Sequence, residues 1–247
     1  MRPPVFYAAD LAHDSIVLSG AEGRHATTVR RLAPGERIDL TDGSGTAAEC
    51  VVTAARPGQL ELTVLARQSC PAPAPRLSVV QAIPKGDRGE LAVETMTEVG
   101  VDVVVPWAAE RCVAVWRGDR ADKGVARWRS AALQAAKQSR RYWFPEVTDV
   151  ASTAAVAGRV RGAALALILD PDAAQPVMTV ASAAGLAGTA GEIVLIVGPE
   201  GGISPAEHDA LARAGAAGAR LGPTVLRASS AGAVAAALVL TAVQRWA

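Results

Sequence analysis

Two glycine-bearing loops near the C-terminus contain the residues whose types and spacing best suit ligand binding. The first, GPEGGIS, begins at Gly198 after a buried apolar run, and the second lies in LGPTVLRASSA, which begins at Leu221. Glycines at 198, 201 and 202 allow positive φ angles and a close approach of the backbone to a ligand. Because open α/β sheets bind ligands at the carboxyl ends of their strands, we predict one pocket built largely of backbone.

The first loop leads into a helix whose start is well specified. Ser204 suits the N-cap, Pro205 the first helical position, and Glu207 completes the S-x-x-E capping box. His208 follows, and we interpret it as a residue on the helix surface.

Several familiar catalytic arrangements are missing. The sequence has no G-x-x-x-x-G-K-[ST] loop, no G-x-G-x-x-G dinucleotide fingerprint and no G-x-S-x-G elbow. Its histidines, at 13, 25 and 208, form no plausible Ser-His-Asp set and no HExxH pair. Cys50, Cys70 and Cys112 form no CxxC pair, so we predict neither a disulfide framework nor a metal site.

Charge is balanced overall but not locally. The 247 residues have a formal net charge of +1 and are 50% hydrophobic. The stretch from Arg117 to Arg141 holds eight cations against Asp119 and Asp122, and it is either a solvated helix face or a nucleic-acid surface. The N-terminus has no apolar leader, and the apolar run Ala233–Leu240 is too short to span a bilayer. We therefore expect a soluble, cytoplasmic protein with no membrane partner.

The first seventy residues read as a small β-barrel. Short apolar or alternating runs, separated by Pro-Gly and Asp-Gly turns, predict strands at Ser15–Leu18, Arg37–Leu40, Ala47–Thr53 and Leu60–Ala66, with one short helix at Gly23–Leu32. The proline-rich stretch SCPAPAPR, residues 69–76, reads as a stiff connector. We place a domain boundary there, with domains at 1–72 and 77–247.

After the connector, continuous apolar strands alternate with helices. The predicted strands are Leu77–Ile83, Val101–Pro106, Leu165–Leu169, Ile193–Val197 and a short fifth that begins at Arg220–Leu221. The predicted helices are Asp87–Val99, capped by Asp87 and stopped by Gly100, then Asp122 to about Tyr142, and Ala231 to Trp246. This alternation indicates an α/β domain with a mostly parallel sheet covered on both faces.

GPEGGIS followed by LGPTVLRASSA resembles the C-terminal signature of the SPOUT-class methyltransferases. More closely, the chain resembles the RsmE family of 16S rRNA uridine N3-methyltransferases. GRHATTVRRL and LTDGSG are similar to that family's N-terminal barrel, and RWRSAALQAAKQSRRYWFPEV to its long helix. The resemblance implies an α/β fold: a C-terminal, trefoil-knotted SPOUT domain with a parallel sheet, plus a small N-terminal PUA-like β-barrel.

The resemblance also implies the chemistry. It predicts S-adenosyl-L-methionine as the methyl donor and N3 of a uridine in 16S rRNA of the small ribosomal subunit as the acceptor. Arg227 would stabilise the developing uracil anion, and Glu200 would act as a base or hold the cofactor, the alternative being a carboxylate that orders the loop. The implied cofactor-binding residues are Leu169, Asp170, Ile196, Gly198, Pro199, Glu200, Gly201, Gly202, Leu221, Gly222, Pro223 and Leu226.

RNA contacts would spread over both domains. The candidates are Arg24, Arg30, Arg31, Lys85, Arg88, Arg127, Arg129, Gln138, Arg140 and Arg141, the last five on the long helix. Arg140 and Arg141 are also placed to reach the site from a partner subunit of a homodimer. The closing helix is apolar around most of its circumference, which suits either that dimer or burial within one chain.

One residue departs from the resemblance. Ser229 stands where the family commonly has a glutamate. Two alternatives therefore remain open: a related RNA methyltransferase with a different target atom, and an inactive RNA-binding homologue.

Overall fold

The computed structural model describes residues 3–246, which form two compact units. One unit contains the chain up to Ala72 together with Ala136–Phe144, and the other contains Pro73–Ala135 and the chain from Pro145 onward. The segment Ala136–Phe144 thus groups with the N-terminal residues, although the sequence places it well after the proline-rich connector.

The first unit is built on one five-stranded sheet. Its strands are β1 (Val5–Tyr7), β2 (Ser15–Leu18), β3 (Arg37–Thr41), β4 (Thr46–Arg56) and β5 (Gln59–Ser69), in the order β1-β3-β4-β5-β2. β1 pairs with β3 in parallel and the other pairs are antiparallel. Leu40, Leu60 and Leu62 are completely buried in its core. The four predicted strands are confirmed, whereas three-residue β1 carried no pattern long enough to predict.

The predicted helix Gly23–Leu32 is shifted in the structure. It begins earlier, as α1 (Gly20–Arg24), and continues as a π-helical turn over His25–Val29. Arg31 has a φ of 54°, a left-handed conformation that ends the helix before Leu32.

The segment after the long helix folds against this sheet. The backbone N–H of Gly45 donates to Tyr142 O at 3.0 Å, and the N–H of Phe144 donates to Gly43 O at 2.8 Å. Arg140 has a φ of 59°. The prediction of a helix to Tyr142 is therefore wrong: the helix ends at Gln138, and residues 142–144 bond to the loop between β3 and β4.

The second unit is an α/β layer structure around a six-stranded, all-parallel sheet. Its strands, in the spatial order β11-β9-β10-β6-β7-β8, are β6 (Arg76–Ala82), β7 (Val103–Trp107), β8 (Glu146–Val147), β9 (Leu165–Leu169), β10 (Glu192–Val197) and β11 (Ala217–Ala219). Its helices are α2 (Arg88–Val99), α3 (Asp119–Gln138), α4 (Thr153–Gly162), α5 (Val177–Ala183), α6 (Pro205–Arg213) and α7 (Ala228–Ala242).

Two hydrophobic clusters cover the two faces of this sheet. Leu195 and Val197 of β10 pack with α2, α5 and α7, whereas Val194 and Ile196 pack with α4 and α6. The prediction of a parallel sheet covered on both faces is confirmed.

Several boundaries differ from the sequence prediction. Gly100 does end α2, with a φ of 112°, but Asp87 makes no capping bond because its own backbone is already helical. α7 begins at Ala228 rather than Ala231, and the fifth predicted strand lies at Ala217–Ala219. α4, α5 and β8 were not predicted, since they are short or rich in alanine.

The closing helix α7 is largely buried within its own unit. Ala235, Ala236 and Val239 are completely covered, and α7 packs chiefly on α2 and α5. Val234 remains 40% exposed. Within residues 3–246, no helix combines the length and the hydrophobicity that crossing a bilayer requires.

Candidate functional site

A cavity of about 580 Å³ opens beside the carboxyl ends of β9 and β10. Its walls are residues 168–172 at the end of β9 and beyond it, most of the GPEGG loop after β10, residues 225–228 at the start of α7, and single residues further along α6 and α7. A smaller pocket of about 60 Å³ adjoins it and shares Leu169, Asp170 and Leu226 as walls. The larger volume lies within the range of small-molecule sites, roughly 300–1,000 Å³.

The GPEGG loop is shaped by its glycines and by the residue that follows them. A Cβ on Gly198 would lie 2.7 Å from Ile203 Cγ1, so no side chain fits there without moving the cavity wall. Gly202 has a φ of 75°, and its N–H closes a tight turn by donating to Pro199 O at 2.8 Å. The loop therefore requires glycine at 198 for space and at 202 for conformation.

The predicted start of α6 is confirmed in detail. Ser204 Oγ accepts from Glu207 N at 3.4 Å, Glu207 Oε2 accepts from Ser204 N at 3.3 Å, and Pro205 is the first helical residue. The buried Glu207 carboxylate does more than the capping box predicts. Its Oε1 also accepts from Glu110 N and from Thr153 Oγ1, both at 2.9 Å. These bonds fix the end of the GPEGG loop to the residues after β7 and to the first turn of α4.

Charged groups lie along the cavity. Glu200 is two-thirds covered, and its Oε1 lies 3.8 Å from Nη1 of Arg88. Asp170 Oδ1 accepts from the backbone N–H of Asp172 at 2.9 Å, which orders the turn after β9. Arg227 is exposed at the N-cap position of α7. Within residues 3–246, its guanidinium makes no hydrogen bond to protein and is free to meet a ligand.

The structure brings together most of the predicted cofactor-binding residues. Those that line the cavity are Leu169, Asp170, Gly198, Pro199, Glu200, Gly202 and Leu226, joined by Arg227. Leu221 and Gly222 line the adjoining pocket.

Three predicted residues lie outside both. Ile196 is completely buried on the opposite face of the sheet, because side chains alternate along β10 and Val197 is the one that faces the cavity. Gly201 packs on Arg111, whose Nη1 donates to Gly201 O at 3.3 Å. Pro223 is exposed in the second loop.

Sequence reasoning missed two polar residues of the cavity. His208 is half-buried and lies on the side of its helix that lines the cavity, a role that its assignment to the helix surface did not specify. Its position, four residues after the N-cap Ser204, places it one turn along the helix on the side of the loop. Asp172 also lines the cavity, and no sequence motif marked it.

The predicted RNA-binding residues fall into three groups. In the first unit, Arg24, Arg30, Arg31, Gln138 and Arg140 are exposed and Arg141 is half-buried. In the second unit, Lys85 and Arg88 are exposed on the loop into α2 and at its first turn. Two α3 arginines have carboxylate partners: Arg127 Nε lies 2.9 Å from Glu90, and Arg129 Nη2 lies 2.9 Å from Asp149. Arg140 and Arg141 follow α3 rather than lying on it, as shown above.

Comparison with known proteins assigns families to both parts of the chain. A family described as an RNA methyltransferase domain matches residues 71–240, and one described as an RNA methyltransferase PUA domain matches residues 18–65. The chain is 49% identical to ribosomal RNA small subunit methyltransferase E of Mycobacterium bovis over 93% of this chain and 87% of that protein. Its identity to the protein of the same name from Bacillus subtilis is 28%, over 87% of this chain and 85% of the relative.

Solved structures resemble the whole chain. The ribosomal RNA small subunit methyltransferase E of Neisseria gonorrhoeae, bound to S-adenosyl methionine, superposes with a TM-score of 0.83 at 27% identity, covering 97% of this chain and 98% of that one. A putative methyltransferase from Legionella pneumophila, also in complex with that cofactor, gives 0.83 at 25% identity and covers 98% of each chain.

Proposed function

Because this chain belongs to the ribosomal RNA small subunit methyltransferase E family, we propose that it methylates N3 of a uridine in 16S rRNA of the small ribosomal subunit, with S-adenosylmethionine as donor. The observation that carries the proposal is the cavity at the GPEGG loop, in a chain that is 49% identical to a ribosomal RNA small subunit methyltransferase E over 93% of its length.

The residues of the cavity suit S-adenosylmethionine. Leu169, Val197 and Leu226 give it apolar walls for an adenine ring, and Gly198 exposes backbone groups that can bond to a ring edge. The carboxylate of Asp170 lies in the same wall and can accept hydrogen bonds from hydroxyl or ammonium groups. When bound, the cofactor supplies an electrophilic methyl group on a sulfonium.

Arg227 and Glu200 are the protein groups that we assign to the acceptor base. Uracil N3 must lose its proton as the N–CH₃ bond forms and the S–CH₃ bond breaks, so negative charge develops on the uracil carbonyl oxygens. The exposed guanidinium of Arg227 can donate to those oxygens. Glu200 is placed to receive the N3 proton or to hold the cofactor, and its pairing with Arg88 keeps its carboxylate beside the cavity.

The two units divide recognition and chemistry. The first unit contains residues 18–65, which match a PUA domain of RNA methyltransferases, and Arg24, Arg30 and Arg31 are exposed on this unit. Their contacts with phosphates would provide salt-dependent, largely sequence-independent affinity. Uridine N3 lies on the Watson–Crick edge, so the target base must be unpaired and turned out before it enters the cavity. An enzyme with such a substrate works in the cytoplasm, where the ribosomal subunit is assembled.

We also propose a trefoil knot in the second unit and a homodimeric assembly. For the knot, the support is that three separate stretches of the chain line one cavity: residues 168–172, 198–203 except Gly201, and 225–228. For the dimer, the support is that Val234, an apolar residue, is 40% exposed on a helix that is otherwise largely buried. Sedimentation of the wild type and of Val234→Asp tests the dimer. We expect a dimer for the wild type and a monomer for the variant, and a wild type that sediments as a monomer contradicts the proposal.

The deciding experiment is nucleoside mapping of 16S rRNA by mass spectrometry in a deletion strain. We expect one 3-methyluridine to vanish on deletion and to return when the gene is added back. Return of a different methylated nucleoside would indicate another target atom. An unchanged profile, with cofactor binding also missing, would indicate an inactive RNA-binding homologue in which the change to Ser229 has abolished catalysis.

A further inference from the structure

A second concave surface lies on α3 and shares no lining residue with the GPEGG cavity. This surface, here named the α3 groove, encloses about 450 Å³ between Val113–Trp116 and three cations of α3, Arg120, Lys123 and Arg127. Arg120, Lys123 and Arg127 belong to the basic stretch Arg117–Arg141 noted in the sequence, and Arg127 alone among them was a named RNA-binding candidate.

The floor of the groove is a built feature. A Cβ on Gly124 would lie 2.7 Å from the Trp116 ring, so the indole lies flat against the helix only because residue 124 is glycine. Trp116 also meets Trp128 edge to face, with ring centroids 5.2 Å apart. Aromatic packing therefore fixes the loop that forms one wall of the groove.

Every ionisable side chain that lines the groove is a cation. Arg120, Lys123 and Arg127 are spaced three and four residues apart, so they share one face of the helix. Among the described residues, Arg120 and Lys123 have no carboxylate partner, whereas Arg127 pairs with Glu90. The groove thus presents two cations without an ion-pair partner among the described residues, and a third that Glu90 holds in place.

The opposite wall is apolar and open to solvent. Val113 is 64% exposed and Val115 is 58% exposed, although each is large and hydrophobic. A wall of this kind beside a row of cations complements a nucleotide, which combines an anionic phosphate with an apolar sugar and base face.

The groove is next to the cavity. Arg111, just before the apolar wall, donates to Gly201 O in the GPEGG loop at 3.3 Å. On the other side, the first turn of α2 connects the two sites, because Arg88 pairs with Glu200 at the cavity and Glu90 pairs with Arg127 at the groove. Arg88 and Glu90 both lie in the first turn of α2, so one strand of RNA that passes this turn can reach both sites.

We propose that the α3 groove binds a nucleotide of the rRNA strand that flanks the methylated base. Arg120 and Lys123 contact its phosphates, and Val113 and Val115 contact its sugar or base. This inference rests on the proposed function, since it presumes an RNA substrate in the neighbouring cavity.

The test uses Arg120→Glu/Lys123→Glu with small ribosomal subunits from a strain in which the gene is deleted. Loss of two phosphate contacts should raise KM about tenfold and make the slope of log affinity against log salt shallower by about 1.4. S-adenosylmethionine affinity and the melting temperature should not change, because both side chains are exposed. A matched control, Arg161→Glu/Arg213→Glu, makes the same charge change on α4 and α6, where both arginines are also exposed.

A second variant separates the apolar wall from the charges. Val113→Ser/Val115→Ser should weaken binding with an unchanged salt slope, because no phosphate contact is lost. Filter binding of an unmodified 16S rRNA transcript compares the RNA affinities of the wild type and these variants without requiring catalysis. The groove is therefore tested even if the wild type methylates nothing.

Three results would overturn the proposal. The first is that Arg120→Glu/Lys123→Glu has the same KM for small ribosomal subunits, and the same slope of log affinity against log salt, as the wild type. The second is an equal loss in the α4 and α6 control, which would mean that only net charge matters. The third is conversion of a dimer to a monomer on sedimentation, which would make the groove an interface between copies of the chain.

Discussion

Glu207 and Ser204 cap the same helix reciprocally, and the carboxylate of Glu207 also holds two neighbouring segments. Glu207 is 6% exposed, and its two oxygens accept from Ser204 N, Glu110 N and Thr153 Oγ1. One side chain therefore connects the GPEGG loop, the residues after β7 and the start of α4.

Replacing Glu207 with alanine should destabilise the protein by about 3 kcal/mol, since it removes half of a capping box and leaves buried donors unpaired. Denaturant unfolding measures the change. Glu207→Gln keeps one carbonyl acceptor and should lose less. An alanine variant as stable as the wild type would show that these bonds contribute nothing.

Gly198→Ala should disrupt the cavity. Its new Cβ would lie 2.7 Å from Ile203 Cγ1, so the cavity wall must shift. We expect weaker S-adenosylmethionine binding by calorimetry, and partial recovery in Gly198→Ala/Ile203→Ala, which restores space. Gly162→Ala, at the end of α4 and outside both pockets, is the control, because a Cβ there meets nothing within 4 Å. Equal losses in the two single variants would contradict a steric cause at residue 198.

A buried ion pair in the first unit gives a prediction independent of the cavity. Lys137 Nζ lies 2.6 Å from Glu22 Oε1, and Glu22 Oε2 accepts from Tyr7 N at 3.2 Å. Lys137→Ala leaves the carboxylate with no cation partner at that oxygen and should cost about 3 kcal/mol. Lys137→Met/Glu22→Gln removes both charges and should recover most of that loss in thermal unfolding. A double variant no more stable than Lys137→Ala would contradict this reading.

The parts of the fold that the sequence predicted well are those whose signals are local. The start of α6 follows from Ser204, Pro205 and Glu207 within four residues, and β9 has its predicted bounds, Leu165–Leu169. The end of α3 was predicted wrongly because long-range contacts determine it: the backbones of Tyr142 and Phe144 bond to a loop about a hundred residues earlier in the chain.

The candidate site shows the same division. Its two glycine loops were predictable from motifs, and they supply most of the cavity walls. There is a physical reason why the sequence pointed to Ile196 although Val197 lines the cavity. β10 is buried on both faces, so its sequence is uniformly apolar and carries no alternation that tells one face from the other.

The Cys50 thiol should make stability fall in alkaline solution. Burial, with a smaller contribution from Asp39, raises the pKa of Cys50 from 9.0 to about 11. Between those values the folded state keeps a proton that the unfolded state releases, so the free energy of unfolding decreases as the pH rises from 9 to 11. Denaturant midpoints across this range should fall more steeply for the wild type than for Cys50→Ala. Parallel curves would contradict the raised pKa.

Arg227→Ala should abolish most catalysis without affecting the fold. Removing one donor to a developing oxyanion lowers kcat by roughly 10² to 10³-fold in other enzymes, and we expect that range here. The melting temperature should not change, because the side chain is exposed and makes no hydrogen bond to protein within residues 3–246. Arg227→Lys keeps the charge but loses the planar pair of donors, so it should recover only part of the rate. Arg213→Ala, an exposed arginine at the end of α6, is the control. If Arg227→Ala instead raised the dissociation constant of S-adenosylmethionine and left kcat unchanged, Arg227 would be a cofactor ligand, and the uracil anion would need another donor.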